Sequence, residues 1–326
     1  MTTATEDSGP VELDPIKRLS KDLKVSAKLL GRHEARFLVD TYYQIQEFRI
    51  ASAGQVRSIM KQPDDAVDAI EPCETIQWLQ SNMTALENDI KKALAAFDNE
   101  WRIGQWLQSI CGIGPVITAG LLSTLDVRKC QTAGHFWRFA GLDPTMKWEK
   151  GKKRPWNARL KCLCAFKIGE SFVKVQGREK DVYGKLFAER KAQETDGNVR
   201  GNYAERAKES LAAKNFGKET EARKAYEAGH LPKAHIHARA RRWTVKLFLS
   251  HVHHAMYEDY FGSPPPVPYV FSHCEGDHRH YIAPPNWPWS KGGRTLTELL
   301  IDRPDAPKEP NEPSVDLDAS DEKDVE

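Results

Sequence analysis

Two glycines near the middle of the chain could bring a phosphate group close to the protein backbone. Gly112 and Gly114 flank Ile113, and Pro115 follows them directly. The pattern predicts a helix-hairpin-helix, in which one helix ends near Ile110 and the next begins near Pro115, where a missing N–H costs no hydrogen bond. Because glycine has no Cβ and the start of a helix attracts anions, the hairpin is a candidate phosphate site, with Ile113 anchored in the core. An ordinary turn between packed helices is the alternative, since glycine turns are common.

A basic and aromatic cluster follows the hairpin and provides the second set of candidate ligands. Lysine and arginine side chains neutralise phosphates, and tryptophan rings stack on unpaired bases. Together these residue types favour nucleic acid as the partner, whereas tryptophans packed in the core beside solvated lysines are the alternative. The candidates are Lys150, Lys152, Lys153, Arg154, Trp156, Arg159 and Lys161, followed by Arg239, Arg241 and Arg242 on a later predicted helix.

The charge distribution also favours a polyanionic partner. Residues 147–190 hold 13 Lys and Arg against 5 Asp and Glu, although the whole chain has a formal net charge of only +2. Residues 302–326 hold 10 Asp and Glu against 3 Lys and Arg. A basic middle and an acidic tail in one chain are typical of polyanion binding by the middle. A solvated basic helix face with a solubilising tail is the alternative interpretation.

The order of these motifs resembles the C-terminal transposase domain of the insertion-sequence-110/116/902 family. In that family a Gly-Ile-Gly-Pro hairpin precedes a Gly-Leu-x-Pro segment, a short basic glycine turn and a basic helix. The corresponding segments here are 112–115, Gly134–Pro144, Lys150–Arg154 and Trp156–Lys161, and residues 233–242 resemble the family's closing basic helix. The resemblance covers roughly residues 75–260. It implies a role in DNA transposition or recombination, with DNA, or a structured RNA, as the partner.

Two catalytic features of that family have no clear counterpart in this sequence. Its members carry an N-terminal RuvC-like nuclease domain with four acidic metal ligands, but here the best candidate strand, Phe37–Asp40, continues into a helix-like run. The family's nucleophilic serine corresponds to Lys150, and Thr145 lies upstream of that turn. The resemblance therefore implies a binding protein without catalytic residues, metal ligands or cofactor. A transposase subunit whose nuclease is supplied by another polypeptide is the alternative, and a helical interaction protein is the second.

The composition predicts a cytoplasmic protein that does not associate with a membrane. No run of 18 apolar residues is present, the first ten residues lack the apolar stretch of a secretion signal, and six scattered cysteines suit a reducing compartment. Four residues late in the chain have side chains of the types that bind structural zinc, so a zinc site there is an alternative to the absence of metal. They are His273, Cys274, His278 and His280.

The spacing of apolar residues predicts an all-α fold. Helical three- and four-residue steps recur along the chain, and no convincing strand alternation is present. The N-terminal helices are expected to form a coiled-coil-like arm through which the protein makes a homo-oligomer. The predicted segments are a disordered lead (1–15), the helical arm (16–100), a helix-hairpin-helix domain (101–262) with a polar helical insertion (190–231), a proline- and aromatic-rich strap (263–300) and an acidic disordered tail (301–326).

Overall fold

Helices make up the regular secondary structure of the described residues, as the apolar spacing predicted. The computed structural model describes residues 19–59, 74–268, 271 and 281–301. Within these ranges no β-strand forms, and the only β-type pairing is an isolated bridge between Trp101 and Arg294. The all-α prediction is therefore confirmed. The chain divides into two units, one ending at Asn99 and one beginning at Glu100.

The first unit consists of three helices, α1 (Lys21–Ala27), α2 (Arg32–Ile59) and α3 (Glu74–Asp98). Residues 28–31 separate α1 from α2, and the N–H of Gly31 donates to Glu34 at 2.6 Å. A bidentate ion pair joins α2 to α3, with Arg49 Nη2 3.1 Å from Glu87 Oε2. Phe37, Phe48 and Ile50 are exposed on α2 in this unit. Self-association of the arm remains a proposal that rests on these apolar side chains.

The second unit is built around one long helix near its C-terminal end. Its elements are α4 (Arg102–Gln108), α5 (Pro115–Thr124), a 3-10 turn (Val127–Lys129), α6 (Ala133–Phe139), α7 (Ala158–Cys162), a π-helical stretch (Leu163–Ile168), α8 (Gly169–Lys174), α9 (Tyr183–Val199), α10 (Ala204–Ala213), α11 (Glu221–Glu227), α12 (Lys233–Phe261) and α13 (Leu296–Leu299). Among the described residues, every helix is too short or too polar to span a lipid bilayer.

The core of this unit forms where α12 packs against α4, α6, α8 and α9. Phe248 of α12 is fully buried and meets Phe172 and Tyr183 edge to face, with ring centroids 5.3 Å apart in each pair. Phe172 and Tyr183 stack on each other at 4.7 Å. Such rings contribute large buried apolar areas, so this cluster fixes α8 and α9 against α12. Helix α12 is capped by Gly262, whose φ of +69° is the left-handed conformation that glycine adopts readily.

The segment predicted as an exposed insertion (190–231) is only partly exposed. Helix α9 packs along α12, and Glu194 on its inner face is buried. Helices α10 and α11 make a small hydrophobic cluster with the start of α12, formed by Ala207, Tyr226, Leu231 and Ile236. Its alanine and lysine content concealed these few buried contacts, which come from residues far apart in the segment. The insertion is therefore packed onto the unit.

Residues 282–287 of the proline- and aromatic-rich segment contact α4 and α12. Trp106 Nε1 donates to the Pro285 carbonyl at 2.8 Å, and the Trp106 and Trp287 ring centroids are 5.7 Å apart. The predicted disordered lead falls outside the described residues. The acidic tail beyond Ile301 also lies outside them, as do His273, Cys274, His278 and His280.

His251 is held neutral at the centre of this unit. Its Nε2 lies 2.8 Å from the carbonyl oxygen of Ile282, which can only accept, so Nε2 carries the hydrogen. Its Nδ1, 2.7 Å from the Tyr183 hydroxyl, therefore accepts. Burial lowers the pKa of His251 to about 4. A second proton would face the Tyr183 hydroxyl and have no acceptor without rearrangement.

We expect acid to destabilise this unit through His251. The unfolded chain takes up a proton near pH 6.5 and the folded chain only near pH 4, so stability falls as the pH drops through this window. Between pH 7 and 4.5 the loss from this residue is about 2 kcal/mol in the free energy of unfolding. Urea unfolding at pH 7 and pH 4.5 measures the loss. In His251→Gln the loss in the free energy of unfolding should be about 2 kcal/mol smaller than in the wild type. His33→Gln, at an exposed histidine, should retain the wild-type loss; an unchanged loss in His251→Gln would refute the assignment.

Candidate nucleic-acid interface

The two glycines of the predicted hairpin have different surroundings. Gly112 has a φ of +95°, and its carbonyl accepts a hydrogen bond from the hydroxyl of Ser171 on α8. A Cβ at Gly112 would lie 3.0 Å from Ser171 Oγ and 3.4 Å from a methyl group of Val175. Gly112 therefore serves the packing of the turn against α8.

Gly114 leaves the start of α5 open. Its backbone is extended, with φ −104° and ψ 177°, and a Cβ there would meet nothing within 4 Å. It is the N-cap residue of α5, no side chain caps the helix, and Pro115 occupies the first turn. Ile113 between the glycines is buried. No atom beyond the neighbouring residues therefore crowds the side-chain position of Gly114 at the start of α5.

A continuous helical segment, residues 158–174, positions several of the candidate residues; we call it the α7–α8 helix. It begins at Asn157, whose side chain accepts from the Leu160 N–H at 2.9 Å and whose own N–H donates to the Phe139 carbonyl at 3.0 Å. Arg159 and Lys161 lie in its first turns. Its centre is π-helical, an irregularity that is common at functional sites.

A basic loop precedes this helix and contains Lys150–Arg154; we call it the basic loop. Trp148 closes it. The indole Nε1 donates to the Lys152 carbonyl at 2.6 Å, and the Arg154 guanidinium lies 5.1 Å from the ring centroid. Lys150, Lys153 and Arg154 are exposed, and no ion pair forms to them within the described ranges. Lys152 pairs with exposed Glu149 at 2.5 Å, an arrangement that contributes little in water. The loop therefore presents its positive charge to solvent.

Trp156 packs against the end of α6 rather than projecting into solvent. A Cβ at Gly141, where φ is +62°, would lie 2.8 Å from Trp156 Cγ. Lys161 Nζ is 4.5 Å from the centroid of the same ring. Tryptophan and lysine thus form one cation–π pair beside the basic loop, and this pair fixes the start of the α7–α8 helix against α6.

Two of the three arginines on α12 are held by buried or half-buried carboxylates. Arg239 Nε lies 2.8 Å from Glu194 of α9, and its guanidinium is 4.6 Å from the ring centroid of Tyr203. Although burial opposes ionisation of Glu194, hydrogen bonds from Arg239, Tyr203 and Arg190 lower the pKa of this carboxyl. The ion pair therefore stays charged at neutral pH.

Arg241 links α12 to the α7–α8 helix. Its guanidinium pairs with Glu170, and its aliphatic stem lies over Gly169, where a Cβ would be 2.7 Å from Arg241 Cγ. Arg242 is exposed, and none of the described carboxylates pairs with it. The surrounding protein, and then Arg239 and Arg241, lower the pKa of Arg242. Arg242 is thus the member of this group that faces a surplus of positive charge.

The remaining polar candidates are engaged in internal hydrogen bonds. The Thr145 hydroxyl donates to Asp143 at 2.7 Å, and this bond lowers the pKa of the Asp143 carboxyl. Asp40 lies inside α2 and not at the end of a strand. No group of three or more His, Cys, Asp or Glu with metal-binding geometry occurs among the residues described.

The segment from α4 to α7 is similar to a known protein family. Residues 104–162 match the model of the Transposase IS116/IS110/IS902 family. This transposase-type segment contains most of α4, the glycine turn, α5, α6, the basic loop and α7, and the match confirms the resemblance there. Helix α12 and the first unit lie outside it. No curated protein and no solved structure matches the chain.

Sequence reasoning missed the residues that hold the candidates in place. Ser171, Glu170 and Glu194 act on Gly112, Arg241 and Arg239 over separations of 45 to 71 residues. One local signal was available, since Gly169, Glu170 and Ser171 are consecutive and place a small residue beside two polar ones directly after the largely apolar stretch of residues 162–168. Which distant residues they meet is decided by tertiary packing.

Substitution by alanine should separate the roles of the two glycines. Gly112→Ala forces a side chain into a positive-φ position against Ser171, so we expect the free energy of unfolding to fall by about 2 kcal/mol. Gly114→Ala adds a methyl group in open space, and the expected change is below about 1 kcal/mol. Urea unfolding of both variants measures the difference. Equal losses at the two positions would contradict the assigned roles.

Proposed function

We propose that the protein binds nucleic acid, with DNA as the first candidate, through the backbone phosphates. The observation that carries this proposal is the exposed basic loop within the transposase-type segment. Lys150, Lys153 and Arg154 project from it without internal ion pairs in the described structure. The binding strength of such exposed cations comes from the release of counterions from the nucleic acid.

The start of α5 supplies a second phosphate contact. Backbone amides at a helix N-terminus bind anions, and Gly114 keeps the approach to them clear. Gly112 and Ile113 support the turn from behind, through the Ser171 hydrogen bond and through burial. In this proposal Gly114 contacts the ligand, whereas Gly112 and Ile113 position it.

The arginines of α12 divide in the same way. Arg239 and Arg241 hold α9 and the α7–α8 helix through Glu194 and Glu170, so they act as positioning residues. Arg242 remains available to a ligand. Trp156 and Lys161 shape the base of the basic loop, and Arg159 is exposed beside them. The interface we propose is therefore smaller than the full set of basic residues.

The family match also supports a transposase-related role for this binding. The second candidate function is a transposase or recombinase subunit that obtains its nuclease from another polypeptide. Lys150 stands where the resemblance places the family's serine, and the Thr145 hydroxyl is bonded to Asp143. Cleavage of a phosphodiester needs a nucleophile held in fixed geometry with cationic or metal support.

Neutralising the basic loop should weaken binding and reduce its salt dependence. Lys150→Gln, Lys153→Gln and Arg154→Gln together remove the three exposed cations that we place on phosphates. The slope of log affinity against log salt should fall by about 0.7 to 0.9 for each phosphate that the variant no longer neutralises. Fluorescence anisotropy with a labelled duplex, over a salt series, measures both quantities.

A charge-matched control separates local binding from net charge. Arg200→Gln, Lys208→Gln and Lys218→Gln remove the same charge from exposed positions on the insertion. These three changes should leave the slope within error of the wild-type value. If both triple variants reduce the slope equally, or neither does, the basic loop is not the phosphate-binding site.

Catalysis is tested with a supercoiled plasmid and Mg²⁺ or Mn²⁺. The purified protein should shift the plasmid in a gel in a salt-sensitive manner without nicking it. Metal-dependent nicking that Asp40→Ala abolishes would instead place a nuclease in the first unit. A covalent DNA adduct that disappears in Thr145→Ala would identify Thr145 as a nucleophile and favour the recombinase alternative.

A further inference from the structure

A groove of about 390 Å³ is lined by the insertion and the start of α12. None of its lining residues belongs to the basic loop. Helices α10 and α11 form two of its walls, and the first turns of α12 form the third. Its α12 wall carries Ala234, His235, Ala238 and Arg242, which share one face at helical spacing. The volume is within the range of small-ligand pockets, about 300 to 1,000 Å³.

Cations dominate the rim of this groove. Arg206, Lys214 and Arg242 line it, against the single carboxylate of Glu209. Arg206 Nη1 is 2.8 Å from Glu209, but both side chains are more than half exposed, so a phosphate can compete for the arginine at little cost. Arg242 has no carboxylate partner among the described residues. The rim therefore favours an anion.

The pKa of His235 is affected by this concentration of positive charge. Burial, and then Arg242, Arg239, Arg206 and Lys214, lower its pKa to about 4. The neutral ring lies with Nδ1 2.9 Å from the Tyr226 hydroxyl. The imidazole is thus fixed as a polar wall, and the anion-binding charge comes from the arginines and the lysine.

The interior of the groove is apolar and aromatic. Phe216 and Tyr226 line it with their ring centroids 5.1 Å apart, and Pro232, Ala213 and Ala222 complete the wall. Phe216 is half-buried, whereas Tyr226 is buried in the small cluster of the insertion. Aromatic walls with adjacent cations suit a planar base joined to a phosphate. A bare inorganic anion would leave the aromatic wall unused.

We propose that this groove binds one nucleotide unit, with the phosphate on Arg206 and Arg242 and the base against Phe216. The site deepens the proposed nucleic-acid function, because it would take an unstacked nucleotide of a bound strand. A free mononucleotide has the same ligand chemistry, and titrations with AMP and with an oligonucleotide separate these two sources.

Calorimetric titration of the full chain with AMP tests the site. Arg206→Gln and Arg242→Gln should each weaken AMP binding about tenfold, since each removes a charged hydrogen bond to phosphate. Lys208→Gln is the matched control, because Lys208 lies on the same helix, pairs with Glu205 at three residues' distance and does not line the groove. Its affinity should stay within about twofold of wild type. Equal AMP affinity in the wild type and the two arginine variants overturns the proposal.

The base contact is tested separately. Phe216→Leu retains an apolar side chain but removes the aromatic face, so AMP should bind about fivefold more weakly while ribose 5-phosphate is unaffected. Inorganic phosphate or a polyglutamate peptide that binds the wild type as tightly as AMP overturns the nucleotide assignment. Circular dichroism of each variant establishes that it is folded.

Two further arms identify the source of the nucleotide and isolate this site. If an adenine deoxyoctanucleotide binds more tightly than AMP and is weakened by the same substitutions, the natural ligand is a nucleic-acid strand. If the two affinities are equal, the natural ligand is a free mononucleotide. Either result supports a nucleotide in the groove. The basic-loop triple variant should bind AMP normally. Wild-type protein that binds AMP but no duplex would reject the proposed function alone, whereas wild-type protein that binds duplex but not AMP would reject the groove alone.

Discussion

Three consecutive residues near the C-terminal end of the α7–α8 helix fix the glycine turn and α12 in position. Gly169 receives the stem of Arg241, Glu170 pairs with its guanidinium, and the Ser171 hydroxyl donates to the Gly112 carbonyl. Since the same helix begins at the basic loop, it connects the glycine turn, the loop and α12. Interiors are close-packed, so a shift of this helix would move all three elements together.

This arrangement separates cations that build the fold from cations that can meet a ligand. Arg239 and Arg241 are satisfied by Glu194 and Glu170, and removing one partner of such a pair would leave a buried or half-buried charge unmatched. Lys150, Lys153 and Arg154 of the basic loop, and Arg242, form no ion pair in the described structure. Positive charge is thus displayed on a loop and in a groove, both supported by internally neutralised arginines.

The sequence predicts the local elements well because their signals are local. Pro115 after a glycine marks the start of α5, as predicted for the hairpin. Partners distant in the chain could not be predicted in this way. The two glycines looked equivalent in sequence, yet Ser171 distinguishes them, and the insertion looked exposed because its buried contacts come from Tyr226 and a few small side chains.

Photo-crosslinking tests the central claim most directly, namely that the transposase-type segment contacts nucleic acid. The full chain is irradiated with a duplex that carries 4-thiothymidine, and the adducts are located by mass spectrometry. We expect adducts within residues 148–161 and beside Gly114, reduced by salt and by excess unlabelled duplex. Adducts confined to α1, α2 and α3, or their absence at protein concentrations that saturate the duplex, would contradict this claim.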